Sequence, residues 1–338
     1  MNSTSQGELV SVVIPTYRGD RFIGTALADI AAQSWSHWEV IVVEDGSQGE
    51  TESIVRRFAA AQTGRRVEYL RHEKNMSQSA ARNTAIQAAR GTHIALLDVD
   101  DRWQPSHLTA TMAALHSNQA ELAYSTVAKF DDRTELVTGT WGPTAWDLKS
   151  FPYSLFRHCF ITPATVVFQR DLIDRVGRFE PALCPCEDFD FWIRCVAANV
   201  RFTHVKGCHV LYRKNHVEAQ TGGTCRMTEA YARVIDKHQT TFPNPPTEYY
   251  RLAARAYFSA AWCHATTNPK QDRTADPSRA LALLRRACEV HRRKAKYWIH
   301  CELLQACERL NSNFLRRQFL HWFRPRKFMR VGQLISAA

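Results

Sequence analysis

This chain lacks any apolar run near the roughly 18 residues that a membrane-spanning helix needs, so the sequence points away from a helical integral membrane protein. Its first apolar run, residues 10–14, stops at Pro15 and is too short for the core of a secretory signal; the expected location is the cytoplasm. There is no Cys-x-x-Cys pair. The ten cysteines, all between Cys159 and Cys307, therefore read as free thiols in a reducing compartment, not as a zinc ribbon or a dithiol redox centre. Where a dinucleotide-binding fold would place Gly-x-Gly-x-x-Gly, the chain has Pro15-Thr16-Tyr17-Arg18-Gly19, and a Gly-Lys-Ser/Thr phosphate loop is missing too. Both absences argue against a backbone cradle for diphosphate and leave a metal held on carboxylates as the means of meeting its charge.

What is present is globular in character. With 338 residues, 45% of them hydrophobic and 11% aromatic, the chain is long enough for two domains with buried cores. Residues 1–249 carry 26 Lys and Arg against 28 Asp and Glu, whereas residues 250–338 carry 18 against 5, so the net charge of +11 belongs to the C-terminal quarter. A basic segment set apart in this way predicts an acidic partner surface rather than a part in the active site.

Strand-like and helix-like stretches alternate through the first hundred residues. Runs at 10–14, 39–43, 67–71 and 92–97 read as strands, and 22–33, 50–63 and 77–89 as helices, the last closed by Gly91. Such alternation predicts a parallel sheet covered by helices, with ligands bound beyond the carboxyl ends of its strands. Three of those ends carry polar residues: Pro15-Thr16-Tyr17-Arg18, Glu44-Asp45-Gly46-Ser47 and Asp98-Val99-Asp100-Asp101. The last is the most informative, because three carboxylates at the tip of an apolar strand repel one another and invite a cation. Alternate residues of an extended tip let one of Asp98 and Asp100 reach a divalent metal while the other reaches a sugar hydroxyl. Each end also has a plain explanation when taken singly: Glu44 to Ser47 suit a tight turn, and Arg82 with Asn83 suit a solvated helix face.

Taken in order, Val12-Val13-Ile14-Pro15-Thr16-Tyr17, Gln33-Ser34-Trp35, Glu44-Asp45-Gly46-Ser47, Asn75 with Ala81-Arg82-Asn83, and Asp98-Val99-Asp100-Asp101 resemble the nucleotide-sugar domain of family 2 glycosyltransferases. Val176-Gly177-Arg178-Phe179, followed by Glu187-Asp188-Phe189-Asp190-Phe191-Trp192-Ile193-Arg194, resembles that family's acceptor-side signature, and the resemblance spans about residues 9–215. It implies an α/β fold of GT-A type, a Rossmann-like mixed sheet flanked by helices, followed by a small all-α C-terminal domain. It also implies inverting transfer of a sugar from a nucleotide-diphosphate donor, with UDP-sugars favoured, to a hydroxyl of a glycan or lipid-linked acceptor in surface polysaccharide synthesis.

Carried onto this sequence, the resemblance implies a donor pocket of Pro15, Thr16, Tyr17, Arg18, Glu44, Asp45, Asn75, Arg82, Asp98 and Val99. Asp45 accepts a hydrogen bond from the base, Asp98 meets the ribose, and Asp100 holds Mn²⁺ or Mg²⁺, with His216 as a second metal-side residue. Glu187, Asp188 and Asp190 are the catalytic carboxylates, with Asp188 the preferred base; without the resemblance, Glu187 and Asp188 serve equally well as helix-start acids. Where the family has glycine near two positions, this chain has Ser77 and Ala85.

Past about Cys225 the pattern turns helical. Helices are expected at 248–266, 278–291, 294–310 and 313–323, with Asp276-Pro277 opening the second. The expected domains are thus 1–225, catalytic, and 226–338, basic and helical. Leu315, Phe319, Trp322 and Phe323 beside Arg316, Arg317, Arg324, Arg326, Lys327 and Arg330 suit an anionic membrane bound through residues 313–330, as a protein peripheral to the inner face would need; they equally suit a core stripe with a solvated basic face. Trp141, Trp146 and Tyr153 suit either stacking on an acceptor sugar or loop packing. No nucleic acid partner is expected. A nucleotidyltransferase-like enzyme and a catalytically silent protein that binds through its basic tail are the alternatives.

Overall fold

A computed structural model describes residues 8–215, 224–239, 241, 247–265 and 276–290. The chain divides into two compact units, Met1–Ala219 and Gln220–Ala338.

In the first unit β1 (Val10–Thr16), β2 (Trp38–Asp45), β3 (Val67–His72), β4 (His93–Leu96), β5 (Arg102–Trp103), β6 (Leu122–Asp131), β7 (Val137–Trp141), β8 (Val167–Gln169) and β9 (Phe202–Lys214) form a nine-stranded sheet. Its order is β3-β2-β1-β4-β8-β6-β9-β5, with β7 paired to β6. The helices Asp20–Ala31, Thr51–Ala61 and Gln78–Ala88 fall where the sequence predicts them. β1 and β2 are buried along their whole length, which is why they read as unbroken runs rather than alternating ones.

The parallel sheet expected from the first hundred residues is formed by β1 to β4, and later strands make the whole a mixed sheet, as expected. β8 runs antiparallel between β4 and β6, and β9 then runs parallel to β6. Two reversals restore the direction of β4, so the carboxyl ends of β1, β2, β4 and β9 all lie along one edge of the sheet. β5 follows the acidic tip directly and pairs Arg102 and Trp103 with Leu211 and Val210 of β9, which seats the end of β9 beside that tip. Gln33-Ser34 helps to hold this arrangement. The Gln33 side chain donates to Gln104 O (2.9 Å) and accepts from Leu108 N–H (3.0 Å), and Ser34 N–H donates to Pro105 O (2.8 Å).

The described part of the second unit contains the helices Thr224–Lys237, Thr247–Ala265 and Pro277–Val290, packed around a small-residue core that includes Ala254, Ala260, Phe258, Leu284 and Ala287. Asp276 caps the last of them, accepting from Arg279 N–H at 2.9 Å, as the Asp-Pro start predicts. The helices expected at 294–310 and 313–323, and with them the membrane surface at 313–330, lie outside the described residues. No described helix is long and apolar enough to cross a membrane.

Candidate active site

Pro15 and Thr16 close β1 against Val43 and Glu44 of β2. Thr16 is buried, and its Oγ1 has no hydrogen-bond partner among the described residues. A methyl group added at Gly19 would lie 2.1 Å from that oxygen and 3.3 Å from Val99, so no side chain fits between the first strand end and the acidic tip. Arg18 takes a left-handed φ of +54° and donates its amide to Ser47 Oγ at 2.8 Å. Its guanidinium lies 5.2 Å from the Tyr17 ring centroid, and Tyr17 remains 40% exposed, an open aromatic face at the strand ends.

Glu44 and Asp45 divide their work. Glu44 is buried and accepts from the Ser47 hydroxyl (2.5 Å) and the Tyr69 hydroxyl (2.8 Å), so it builds the turn after β2. Burial and then this carboxylate push the Tyr69 phenol above its ordinary range. Asp45 accepts from the Met76 and Ser77 amides, both at 2.8 Å, and pairs with His72 Nδ1 at 2.7 Å. Its Oδ2, bonded only to Ser77 N–H among these, retains acceptor capacity. Gly46, at φ +73°, lets this turn press on the next loop, where a Cβ would come within 2.2 Å of Asn75 N; Asn75 itself is exposed. Ser77 stands at φ +99°, ψ 156°, a region that glycine occupies naturally. Its amide holds Asp45, and its Oγ accepts from Ala80 N–H (3.4 Å) at the start of the following helix.

Arg82 joins the two halves of the site. Buried to 1% exposure, it donates from Nη2 to Asp98 Oδ1 (2.6 Å) and from Nη1 to Glu187 Oε1 (2.7 Å), and it lies 5.7 Å from the Phe179 ring centroid. Burial opposes its charge, but Asp98 and Glu187 more than offset this and raise its pKa. Asn83 exchanges two hydrogen bonds with the Phe179 backbone (2.8 and 3.0 Å). Ala81-Arg82-Asn83 therefore ties Asp98 at the acidic tip to both the 176–179 segment and the start of the helix Glu187–Ala197, about a hundred residues downstream in the sequence.

Asp188 lies next to Glu187 at the start of the helix Glu187–Ala197 and is partly exposed. Burial, followed by the charge on Glu187, pushes its pKa up to about 7, while Arg82 pulls the other way. Asp190 is set apart from this group. It is fully buried and accepts from Arg194 Nε (2.9 Å), and Arg194 in turn donates to the Val176 and Arg178 carbonyls, the latter at 2.8 Å. Asp190 thus anchors the Val176 to Phe179 segment.

At the acidic tip, Asp101 is buried, with Oδ1 accepting from Arg213 N–H (3.1 Å) and Oδ2 unpartnered among the described residues. Burial, then the charges of Asp100 and Asp98, push its pKa well up. Two residues of β9 that the sequence reading passed over stand at this tip. The Tyr212 phenol is pushed well up by burial and then by the charges of Asp101, Asp100, Asp98 and Asp188. Lys214 Nζ lies 4.4 Å from that ring centroid, and burial with the nearby Lys129 lowers its pKa to about 8 against the pull of Asp101 and Asp100.

No three His, Cys, Asp or Glu side chains among the described residues cluster as a metal cage. One or two carboxylates suffice to hold Mg²⁺ or Mn²⁺ where phosphate oxygens and water complete its shell, and Asp98 and Asp100 are the candidates for that at this tip. His216 lies outside the described residues.

The sequence profile described as Glycosyl transferase family 2 matches residues 11–177. An uncharacterized glycosyltransferase of Methanocaldococcus jannaschii, MJ1057, is 27% identical over 209 residues, 61% of this chain and 70% of that one. The Escherichia coli UDP-Glc:alpha-D-GlcNAc-diphosphoundecaprenol beta-1,3-glucosyltransferase WfgD is 26% identical over 191 residues, 56% of this chain and 71% of WfgD. The crystal structure of S. aureus TarS 1-349 in complex with UDP-GlcNAc superposes with a TM-score of 0.66 at 16% identity, covering 90% of this chain and 93% of that one. The Pyrobaculum calidifontis mannosyltransferase PcManGT, in complex with GDP-Man and Mn²⁺, superposes with a TM-score of 0.55 at 17% identity, covering 94% and 88%. Both share the fold.

Proposed function

This chain belongs to glycosyltransferase family 2, and we propose that it transfers a sugar from a nucleoside-diphosphate donor, with UDP-sugars favoured, to a hydroxyl of a glycan or lipid-linked acceptor during surface polysaccharide synthesis. The observation that carries this reading is Arg82, which bonds Asp98 of the donor-side tip and Glu187 of the acceptor-side helix at once. On this reading Asp188, next to Glu187, stands beside the bound donor.

In the proposed reaction Tyr17 stacks on the base, Asp45 Oδ2 accepts from it, and Asp98 meets the ribose, with Pro15, Thr16, Arg18, Asn75 and Val99 lining the pocket. Glu44 contributes the turn that holds Ser47 and Arg18 in place. The acceptor hydroxyl gives its proton to Asp188 as its oxygen attacks the anomeric carbon; the nucleoside diphosphate leaves from the opposite face, inverting the centre in one displacement. A carboxylate with a pKa near 7 is both ionised enough and basic enough to take that proton near neutral pH. Asp100 would hold a divalent ion, which when bound would supply positive charge against that of the diphosphate. Catalysis is assigned to residues 1–225. The basic region 226–338 is assigned a contact with an anionic surface, through residues 313–330, and the protein a place on the cytoplasmic membrane face. A membrane location fits the lipid-linked acceptor in the name of WfgD.

The test is thermal stabilisation and nucleoside-diphosphate release across UDP-, GDP-, dTDP- and CMP-sugars with Mn²⁺, for the wild type and Asp100→Ala. Metal-dependent stabilisation by one nucleotide class, lost in the variant, supports the reading. Stabilisation by none would overturn it.

A further inference from the structure

Three of the large hydrophobic side chains that the structure leaves exposed lie within eight residues: Trp146 (50%), Leu148 (43%) and Tyr153 (54%). They are not on a loose loop. Thr144 and Asp147 form a reciprocal capping box at the start of the helix Ala145–Lys149 (Asp147 Oδ2 to Thr144 N, 2.9 Å). Asp147 Oδ1 holds His158 Nε2 at 3.0 Å, and the Asp147 carbonyl accepts from the Ser154 hydroxyl at 2.6 Å. The segment is thus clamped from within by one buried carboxylate; Leu155 and Phe156 point into the fold, and Trp146, Leu148 and Tyr153 are left on its surface.

The exposed charged side chains of this segment are both cationic. Asp147 is the only acid between residues 141 and 160, and it is 1% exposed. Lys149 and Arg157 are exposed, and the Arg157 guanidinium lies 5.1 Å from the Trp146 ring centroid. A sugar-binding platform would pair its aromatic faces with exposed carboxylates or amides to meet hydroxyls, and residues 141–160 contain no Asn, Gln or exposed acid. Tryptophan, tyrosine and leucine with Lys149 and Arg157 in the same segment match the headgroup layer of an anionic bilayer, where the rings enter the interface and the cations meet phosphates.

We propose that the 144–157 segment docks on an anionic lipid surface through Trp146, Leu148 and Tyr153, with Lys149 and Arg157 on the headgroup phosphates. The same segment leads through His158 to Cys159, whose thiol is pushed well up by burial and then by Asp188, so the docked face connects directly to the neighbourhood of that carboxylate. The advantage of this for a lipid-linked acceptor rests on the role proposed for Asp188; the docking itself does not.

The experiment uses the full chain with vesicles of phosphatidylglycerol and brominated phosphatidylcholine, read by cosedimentation and by quenching of tryptophan fluorescence. The wild type should bind and be quenched. Trp146→Phe should lose a clear part of the quenching even with Trp322 left in place, and the double variant Trp146→Ala with Tyr153→Ala should bind the vesicles about tenfold more weakly, with unchanged thermal stability and unchanged transfer to a water-soluble acceptor. Quenching unaltered in Trp146→Phe, vesicle binding unaltered in the double variant, or equal binding to neutral vesicles would overturn the proposal. A raised KM for the soluble acceptor in the double variant, with vesicle binding intact, would also overturn it and make the segment a sugar platform. Failure of all transfer in the wild type would count against the proposed function and leave the vesicle result standing.

Discussion

Replacing Arg82 with methionine keeps much of the side-chain volume and removes only the charge and its hydrogen bonds. Asp98 and Glu187 would then face each other across a nearly dry site, each without the guanidinium bonded to it at 2.6 and 2.7 Å. Breaking a buried ion pair by deleting one partner costs about 3–5 kcal/mol, which for a unit of this size corresponds to a Tm lowered by roughly 6–20 °C. Two stranded carboxylates can escape by taking up protons, so the deficit relative to wild type should shrink as the pH falls from 8 to 5. Arg82 also holds down the pKa of Asp188, so in Arg82→Lys, which keeps a cation but not the two-pronged bond, the acid limb of the rate profile should move to higher pH. Urea unfolding at several pH values and kcat against pH measure both effects. A loss under about 1 kcal/mol, or a deficit of equal size at pH 5 and 8, would refute the idea that this cation holds the two acids together.

Ser77→Gly relieves a backbone conformation that only glycine adopts without strain and should stabilise the protein by about 1 kcal/mol in urea unfolding, even with the loss of the long Ser77 to Ala80 bond. In the wild type kcat should rise with pH and level off above about 7, because Asp188 must be ionised to accept a proton; a flat profile from pH 5 to 8 would remove it as the base. Asp190→Ala leaves the half-buried Arg194 without its carboxylate but with its two carbonyl partners and should cost about 2 kcal/mol in stability while donor affinity, read by titration calorimetry, stays within a factor of about three.

The first four strands and three helices were legible because each is a single local pattern, an apolar run or an amphipathic stretch, and the acidic tip was legible because an apolar strand has no other use for Asp98, Asp100 and Asp101. What the sequence concealed is relational. Glu44 and Asp45 are neighbours, but one is spent on Tyr69, 25 residues away, and the other on a loop 31 residues away; no local pattern separates them. Asp190 looks like its neighbour Asp188 until the helix turns it toward Arg194. Tyr212 and Lys214 reach the site only because antiparallel β8 sits between β4 and β6, and the register shifts in the pairing of β6 with β9 break the alternation that would have marked which face their side chains take.

The most direct test of the account is a pair of measurements on Asp188→Asn with the donor identified in the nucleotide-sugar panel: donor affinity by calorimetry, and nucleoside-diphosphate release in the presence of acceptor. The account predicts donor binding within a factor of about three of wild type and turnover reduced ~10²–10⁴-fold, since the amide keeps the shape and cannot take a proton. Turnover at the wild-type rate would contradict it, because the carboxylate that Arg82 and Glu187 bring to the donor would then have no part in the transfer.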